Sequence, residues 1–299
     1  MKLSQIYRSR RPVISFELFP PKTEQGMQSL ESRLPRMIEL EPDFMTVTYG
    51  AMGSTQEKTL QIASRIKNHY GMETAHHLTC VGAGSQELDR QIEEIGSHGI
   101  ENIVALRGDP PQGSQRFEAH QHGYSNAYQL VGHIRRQGEF SVAVAGYPEK
   151  HLEAPDFETD LAHLKKKVDC GADVIITQLF YTNQSFYRFE SRCRDLGITQ
   201  PIIPGLLPIL STQQITRISS LCGCTLPGSL LDGLHQAGDD QKRVCRLGIE
   251  YTVEQALDLL DHGVDGIHFY VLNRYFHISA IMQGIRRRLK ELREGQERL

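Results

Sequence analysis

Two hydrophobic rhythms alternate along the chain. Short apolar runs rich in β-branched residues occur at 13–19 (VISFELF), 44–49 (FMTVTY), 75–82 (AHHLTCVG), 102–108 (NIVALRG), 141–147 (SVAVAGY), 174–180 (VIITQLF), 201–207 (PIIPGLL) and 266–272 (GIHFYVL). Each predicts a strand. Between them lie segments with apolar residues at helical spacing, near 25–40, 54–70, 85–97, 124–137, 158–170, 183–195, 211–221 and 276–293, and an additional helical stretch around 240–262 precedes the last strand. Glycine stands at several helix-to-strand joints, as in GSHGIENI and LLDHGVDGI, where a left-handed C-cap ends a helix.

This alternation predicts an α/β protein, a single closed (β/α)8 TIM barrel over residues 1–299. Parallel strands need crossover helices, and the length matches the roughly 250 residues such a barrel uses plus insertions. A doubly wound open sheet is the alternative, but no G-x-G-x-x-G follows the first strand. No Pro-, Gly- or Ser-rich linker divides the chain. The longest predicted loop, RGDPPQGSQRFEAHQHG at 107–123, follows the fourth strand and so falls on the face where barrels carry their chemistry.

Charge removes several functions from consideration. The formal net charge is -3, and the one dense basic run, Arg286-Arg287-Arg288, shares a helix with Glu291 and Glu294, so a nucleic-acid partner is not expected. No run approaches the roughly 20 apolar residues of a membrane span, and the N-terminal MKLSQIYRSRRPV has no apolar signal core. A cytoplasmic location follows as an expectation. The six cysteines are scattered and expected to be reduced, and Cys222-Gly-Cys224 with Cys245 lacks the fourth ligand and the spacing of a structural zinc site, so no metal is expected.

In a barrel, polar residues at the carboxyl ends of the strands converge on one mouth. Here they are Glu17, Thr48, Tyr49, His77, Thr79, Arg107, Asp109, Tyr147, Glu149, His151, Gln178, Tyr270, Asn273 and Arg274. There is no G-x-S-x-G, H-E-x-x-H or P-loop, which leaves acid–base chemistry on a bound small molecule. By the period-two rule Ser15, Glu17 and Phe19 share one face of the first strand and Phe16 and Leu18 the other. A glutamate at the inner mouth among Phe and Pro side chains is expected to have its pKa raised by desolvation, and so to serve as a proton donor.

The ordered blocks SFELFPPKT, VTYGA, HLTC, NIVALRGDPP, AGYPEKH, LKKKVDCGAD, ITQLFY, IIPGLLP and HFYVLNR, running from about residue 13 to 290, resemble the bacterial methylenetetrahydrofolate reductase family. The resemblance implies a barrel that binds FAD noncovalently and reduces 5,10-methylenetetrahydrofolate to 5-methyltetrahydrofolate with NADH or NADPH, supplying methyl groups for methionine synthesis. It implies Glu17 as general acid, Asp109 near flavin and pterin, and Gln178 as an amide shared by the folate and nicotinamide. For the flavin it implicates Thr48, Tyr49, Ala51, His77, Arg107, Gly108, Asp109, Ala127, Tyr147, His151, Asp160, His163, Lys166 and Lys167. For the substrates it implicates Glu17, Thr48, Asp109, Gln178, Tyr270 and Arg274. A homo-oligomer is also expected, without the C-terminal regulatory domain of the eukaryotic enzymes. The segment 225–240, where the family has a lid, aligns poorly, and its residues stay unassigned. Two alternatives stay open: another FAD barrel, such as a proline dehydrogenase, and a folate- or flavin-binding module without turnover.

Overall fold

A computed structural model describes residues 1–9, 11–48, 56–109 and 117–296. Among the described residues nine parallel strands carry the fold: β1 (Val13–Leu18), β2 (Phe44–Val47), β3 (Thr74–Thr79), β4 (Asn102–Leu106), β5 (Ser141–Gly146), β6 (Val174–Thr177), β7 (Ile202–Ile203), β8 (Gly205–Leu206) and β9 (Gly266–Tyr270). They lie in the order β7-β6-β5-β4-β3-β2-β1-β9-β8. The two ends of that order are adjacent in the chain, because β7 pairs with β6 and β8 pairs with β9. Residues 202–206 therefore act as one interrupted strand that closes a TIM barrel. Pro204 causes the interruption, since it has no N–H for the ladder, while its carbonyl accepts from His268 N at 2.9 Å. Gly205 is required beside it, because a Cβ there would lie 2.2 Å from the Thr177 carbonyl oxygen.

The helices α1 (Leu3–Ser9), α2 (Glu24–Ile38), α3 (Gln56–Asn68), α4 (Ser85–Ser97), α5 (Ala127–Gln137), α6 (Phe157–Asp169), α7 (Asn183–Asp195), α8 (Thr212–Cys222), α9 (Gly228–Ala237), α10 (Gln241–Asp261) and α11 (Tyr275–Gln296) supply the rest. Short polar side chains set several starts: Thr23, Asp156 and Ser211 accept from backbone N–H groups of α2, α6 and α8. Among the described residues no helix is long and apolar enough to cross a membrane.

The outward face of β1, Phe16 and Leu18, packs in the large core between sheet and helices. A second core fills the barrel floor, where Leu3, Ile6 and Tyr7 of α1 meet Val13, Phe44, Ala75, Val104, Ala143, Val174 and Ile203. Burying Leu3 and Ile6 contributes roughly 1.5–3 kcal/mol each. The plug is held by Asn102, whose Oδ1 accepts from Leu3 N at 2.8 Å and whose Nδ2 donates to the Met1 carbonyl at 3.1 Å. A third core joins α8, α9 and α10 to Leu179, Tyr181 and Leu207 beside the mouth. Neither α1 nor α9 is among the elements expected from the sequence. The strands also stop earlier than predicted, so that Thr48, Arg107, Tyr147 and Gln178 stand just beyond the last ladder pairs.

Candidate active site at the barrel mouth

The inward face of β1 carries Ser15 and Glu17. The ladder sets Glu17 opposite Thr46 on β2 and Tyr270 on β9, and sets Ser15 opposite His268. Glu17 is 7% exposed, and three groups surround its Oε2: His77 Nε2 at 3.2 Å, His268 Nε2 at 3.3 Å and Thr46 Oγ1 at 3.3 Å. His268 Nδ1 lies 2.7 Å from Ser15 Oγ. Burial is the largest single influence on the Glu17 carboxyl and pushes its pKa up. The neighbouring imidazoles of His77 and His268 together outweigh it and bring the pKa down to about 2. The expected raised, protonated glutamate is therefore corrected: the groups around the carboxyl are imidazoles rather than Phe and Pro side chains, and they favour the anion.

Around this cluster opens a cavity of about 520 Å³ at the carboxyl ends of the strands. Of the residues singled out from the sequence, Glu17, Thr48, His77, Arg107, Gly108, Asp109, Ala127, Tyr147, His151, Asp160, His163, Lys167, Gln178 and Tyr270 line it. Lys166 and Arg274 do not line it: Lys166 Nζ stands 5.8 Å from the ring of Tyr128, itself a lining residue, and Arg274 is exposed at the start of α11. Tyr49 and Ala51 lie outside the described residues.

One wall is cationic. Lys167 Nζ donates to the Ala145 carbonyl at 2.8 Å and stands 5.6 Å from the Tyr147 ring centroid. Its pKa is brought down to about 8 by burial, with Asp160 opposing and Arg107 adding to the fall. His151 is also pushed down, first by burial and then by Arg107, which makes it a hydrogen-bonding group more than a charge. Asp160 accepts from His151 N at 3.1 Å. Arg107 donates from both terminal nitrogens to Glu153 at 2.6 and 2.7 Å. Gly108 next to it has φ +89°, and a Cβ there would lie 2.7 Å from Val81 Cγ1. Only glycine lets the chain turn here against β3's extension.

The remaining groups differ in what they have left to offer. Gln178 Oε1 accepts from the adjacent Leu179 N at 2.9 Å, which leaves its amide NH₂ for a ligand. The Tyr270 hydroxyl donates to the Thr177 carbonyl at 2.7 Å, so that residue presents mainly ring surface. Among the described residues His77 Nδ1 and Thr79 Oγ1, both buried, have no hydrogen-bond partner. Such orphaned atoms on a cavity wall mark places for ligand polar groups. His268, Asn126, Tyr128, Leu207 and Cys222 also belong to the site but are not predicted from the sequence. His268 carries a readable signal, because it precedes Tyr270 by two residues and so shares its inward face.

Fold and site together define a TIM-barrel protein with an acid–imidazole cluster and a cationic wall at the catalytic end. The methylenetetrahydrofolate reductase family model matches residues 2–286. A relative from Arabidopsis thaliana, methylenetetrahydrofolate reductase (NADH) 1, is 41% identical over 283 residues, covering 91% of this chain and 48% of its own length. The 5,10-methylenetetrahydrofolate reductase of Escherichia coli K12 is 38% identical over 264 residues, covering 87% of this chain and 86% of its own. The chain belongs to the methylenetetrahydrofolate reductase family. It spans about half the length of the plant relatives. A solved structure of a Clostridium thermocellum protein described as binding two copies of 5-methyl-5,6,7,8-tetrahydrofolic acid shares the fold, with TM-score 0.62 at 19% identity and 98% and 99% coverage of the two chains.

Proposed function

We propose that the chain binds FAD noncovalently and reduces 5,10-methylenetetrahydrofolate to 5-methyltetrahydrofolate, with NADH or NADPH as electron donor. The observation that carries this reading is the inward-facing Glu17, held among His77, His268 and Thr46 on the wall of the cavity, in a member of a family named for that reaction. The resemblance extends the reading to a cytoplasmic homo-oligomer whose product supplies methyl groups for methionine synthesis.

The donor set fits a flavin dinucleotide. Arg107 and Lys167 would hold the diphosphate, Asp160 would accept from ribose hydroxyls, and the unpartnered His77 Nδ1 and Thr79 Oγ1 would meet polar atoms of the bound ring systems. When bound, FAD would supply the two-electron chemistry that links the nicotinamide to the folate's one-carbon unit.

Everything else falls to the chain's own side chains. Glu17 delivers a proton to N10 of the substrate; the bond between N10 and the bridging carbon then breaks, leaving the 5-iminium cation that accepts hydride. Because the carboxyl is ionised in the folded chain, the proton must reach it first. His77, whose Nε2 lies 3.2 Å from Oε2 and which lines the cavity, is the group placed to pass it on, taking a proton at Nδ1 as it gives one from Nε2. Substrate filling the cavity excludes water and makes a separated charge pair costlier, which favours that transfer. Asp109, exposed at the rim, contributes a negative charge that favours the cation. The free NH₂ of Gln178 can orient the folate and the nicotinamide in turn.

The test is anaerobic. The purified yellow protein should be bleached by NADH or NADPH and recover its colour on addition of methylenetetrahydrofolate, with 5-methyltetrahydrofolate as product. Recovery of colour without that product, or bleaching by proline instead, would overturn the reading.

A further inference from the structure

The Arg107 guanidinium donates three hydrogen bonds. Its Nε donates to the Gly108 carbonyl at 3.3 Å, and its two terminal nitrogens donate separately to Glu153 Oε2 and Oε1 at 2.6 and 2.7 Å. The ring of Phe117 lies 4.8 Å from its Cζ. This side-by-side fork is the geometry an Arg offers to two oxygens of a phosphate. One fork cannot serve a carboxylate and a diphosphate at once.

Glu153 is set in place by its own loop. Its N–H donates to His151 Nδ1 at 3.1 Å, and Ala154 N donates to the His151 carbonyl at 3.0 Å. Lys150 Nζ reaches the carbonyls on both sides of it, those of His151 at 3.2 Å and Ala154 at 2.6 Å. The loop thus presents the carboxylate to Arg107 from outside: Arg107 lines the cavity and Glu153 does not. Half of the Glu153 side chain is exposed, against 22% for Arg107. An ion pair so open to water is weak and exchangeable, whereas a diphosphate engages Lys167 on the same wall as well as Arg107.

We propose that Glu153 is a built-in competitor for the flavin diphosphate, an internal anion that occupies the Arg107 fork until the cofactor's phosphates displace it. It remains nearby afterwards as a like charge, so it lowers affinity for phosphate-bearing flavins without touching the ring. The proposal rests on the flavin reading above.

The experiment is equilibrium titration of the flavin-free chain with FAD and, separately, with riboflavin, which has no phosphate, following quenching of flavin fluorescence. Glu153→Gln should bind FAD about tenfold more tightly than the wild type at low salt, with the gain shrinking as salt screens it, and riboflavin should bind the two alike. Glu153→Ala, which removes the hydrogen-bonding head as well, should show the same sign. Unchanged or weaker FAD binding in both variants would overturn the proposal and make Glu153 a positioning residue for Arg107. So would an equal gain for riboflavin, since the effect would then come from the loop. A wild type with no measurable affinity for either flavin would overturn the flavin reading, and this proposal with it.

Discussion

Glu17 and His268 are 251 residues apart in sequence and 3.3 Å apart between Oε2 and Nε2. β9 returns to close the barrel against β1, and the same imidazole meets Ser15 Oγ through Nδ1 at 2.7 Å. Two residues on one strand face therefore grip both nitrogens of one ring. An ionised carboxylate only accepts, so Nε2 must carry a proton toward Glu17; in the neutral ring Nδ1 then accepts from the serine hydroxyl. The orientation of the carboxyl and the tautomer of the imidazole are fixed by one arrangement.

That arrangement predicts an acid sensitivity. Glu17 is held at about 2 in the folded chain against an ordinary 4.5. A carboxyl depressed on folding stabilises the native state above its unfolded pKa, and this contribution is lost as pH falls from about 4.5 toward 2. Glu17→Gln lacks it. The difference in unfolding free energy between wild type and variant should therefore shift against the wild type by on the order of 2–3 kcal/mol across that window. Urea denaturation of both proteins at several pH values checks this, and a difference independent of pH would show that the imidazoles do not hold the anion.

Lys167 predicts a second pH effect, with the opposite sense on binding. Its ammonium titrates at about 8 because burial opposes the charge. Diphosphate binding needs the charged form, so FAD affinity should be full below that pH and fall above it, by up to about tenfold per pH unit for one proton. Lys167→Met should bind FAD more weakly at neutrality and lose this part of the pH dependence. Parallel profiles for wild type and variant would remove Lys167 from the phosphate site.

The strand starts and most helices were legible because apolar period carries local information. The strand ends were not: runs such as 44–49 and 174–180 continue past the last ladder pairs at Val47 and Thr177, since Thr48, Gln178 and Leu179 still fill the mouth. Helix α1 spans seven residues, and its apolar face is defined only by the barrel floor. In α9 the glycines at 228 and 233 weaken the helical signal. The place of Glu17 was readable from alternation on one strand, but its surroundings were not. Its sequence neighbours are Phe and Pro, whereas its contacts come from β2, β3 and β9. The direction of its pKa shift and its pairing with His268 are therefore set by the barrel and not by the local sequence.

At the opposite end of the barrel, Arg293 of α11 donates to Asp43 Oδ2 at 2.6 Å and to the Pro12 carbonyl at 2.9 Å. The same carboxylate oxygen accepts from Ile14 N at 2.7 Å, and the Asp43 side chain is only 4% exposed. The pair ties the last helix to the start of β1. Arg293→Met removes one charged donor from a buried carboxylate and should lower stability by roughly 1–3 kcal/mol. Flavin affinity should stay unchanged, because the pair lies far from the mouth. Thermal and urea unfolding measure the first expectation and flavin titration the second. A loss below about 0.5 kcal/mol would place this pair with the exposed ones.

The most direct test of the mechanism separates the two halves of the reaction at Glu17. Glu17→Gln keeps the size of the side chain and can still accept from His77 and His268 through its amide oxygen, but it cannot release a proton. Transfer of hydride from reduced nicotinamide to the flavin needs no acid, so that half-reaction should proceed at nearly the wild-type rate. Reduction of methylenetetrahydrofolate requires protonation at N10 before the ring opens, and it should slow by at least the roughly 10²–10⁴-fold that a positioned acid contributes. Anaerobic stopped-flow at the flavin absorbance band resolves the two steps. If both slow together, Glu17 serves to hold the mouth of the barrel in shape, and the proton must come from another group. If only the folate step slows, the carboxyl delivers the proton even though its resting state is the anion, and His77, 3.2 Å from Oε2 on the cavity wall, becomes the source from which it is recharged.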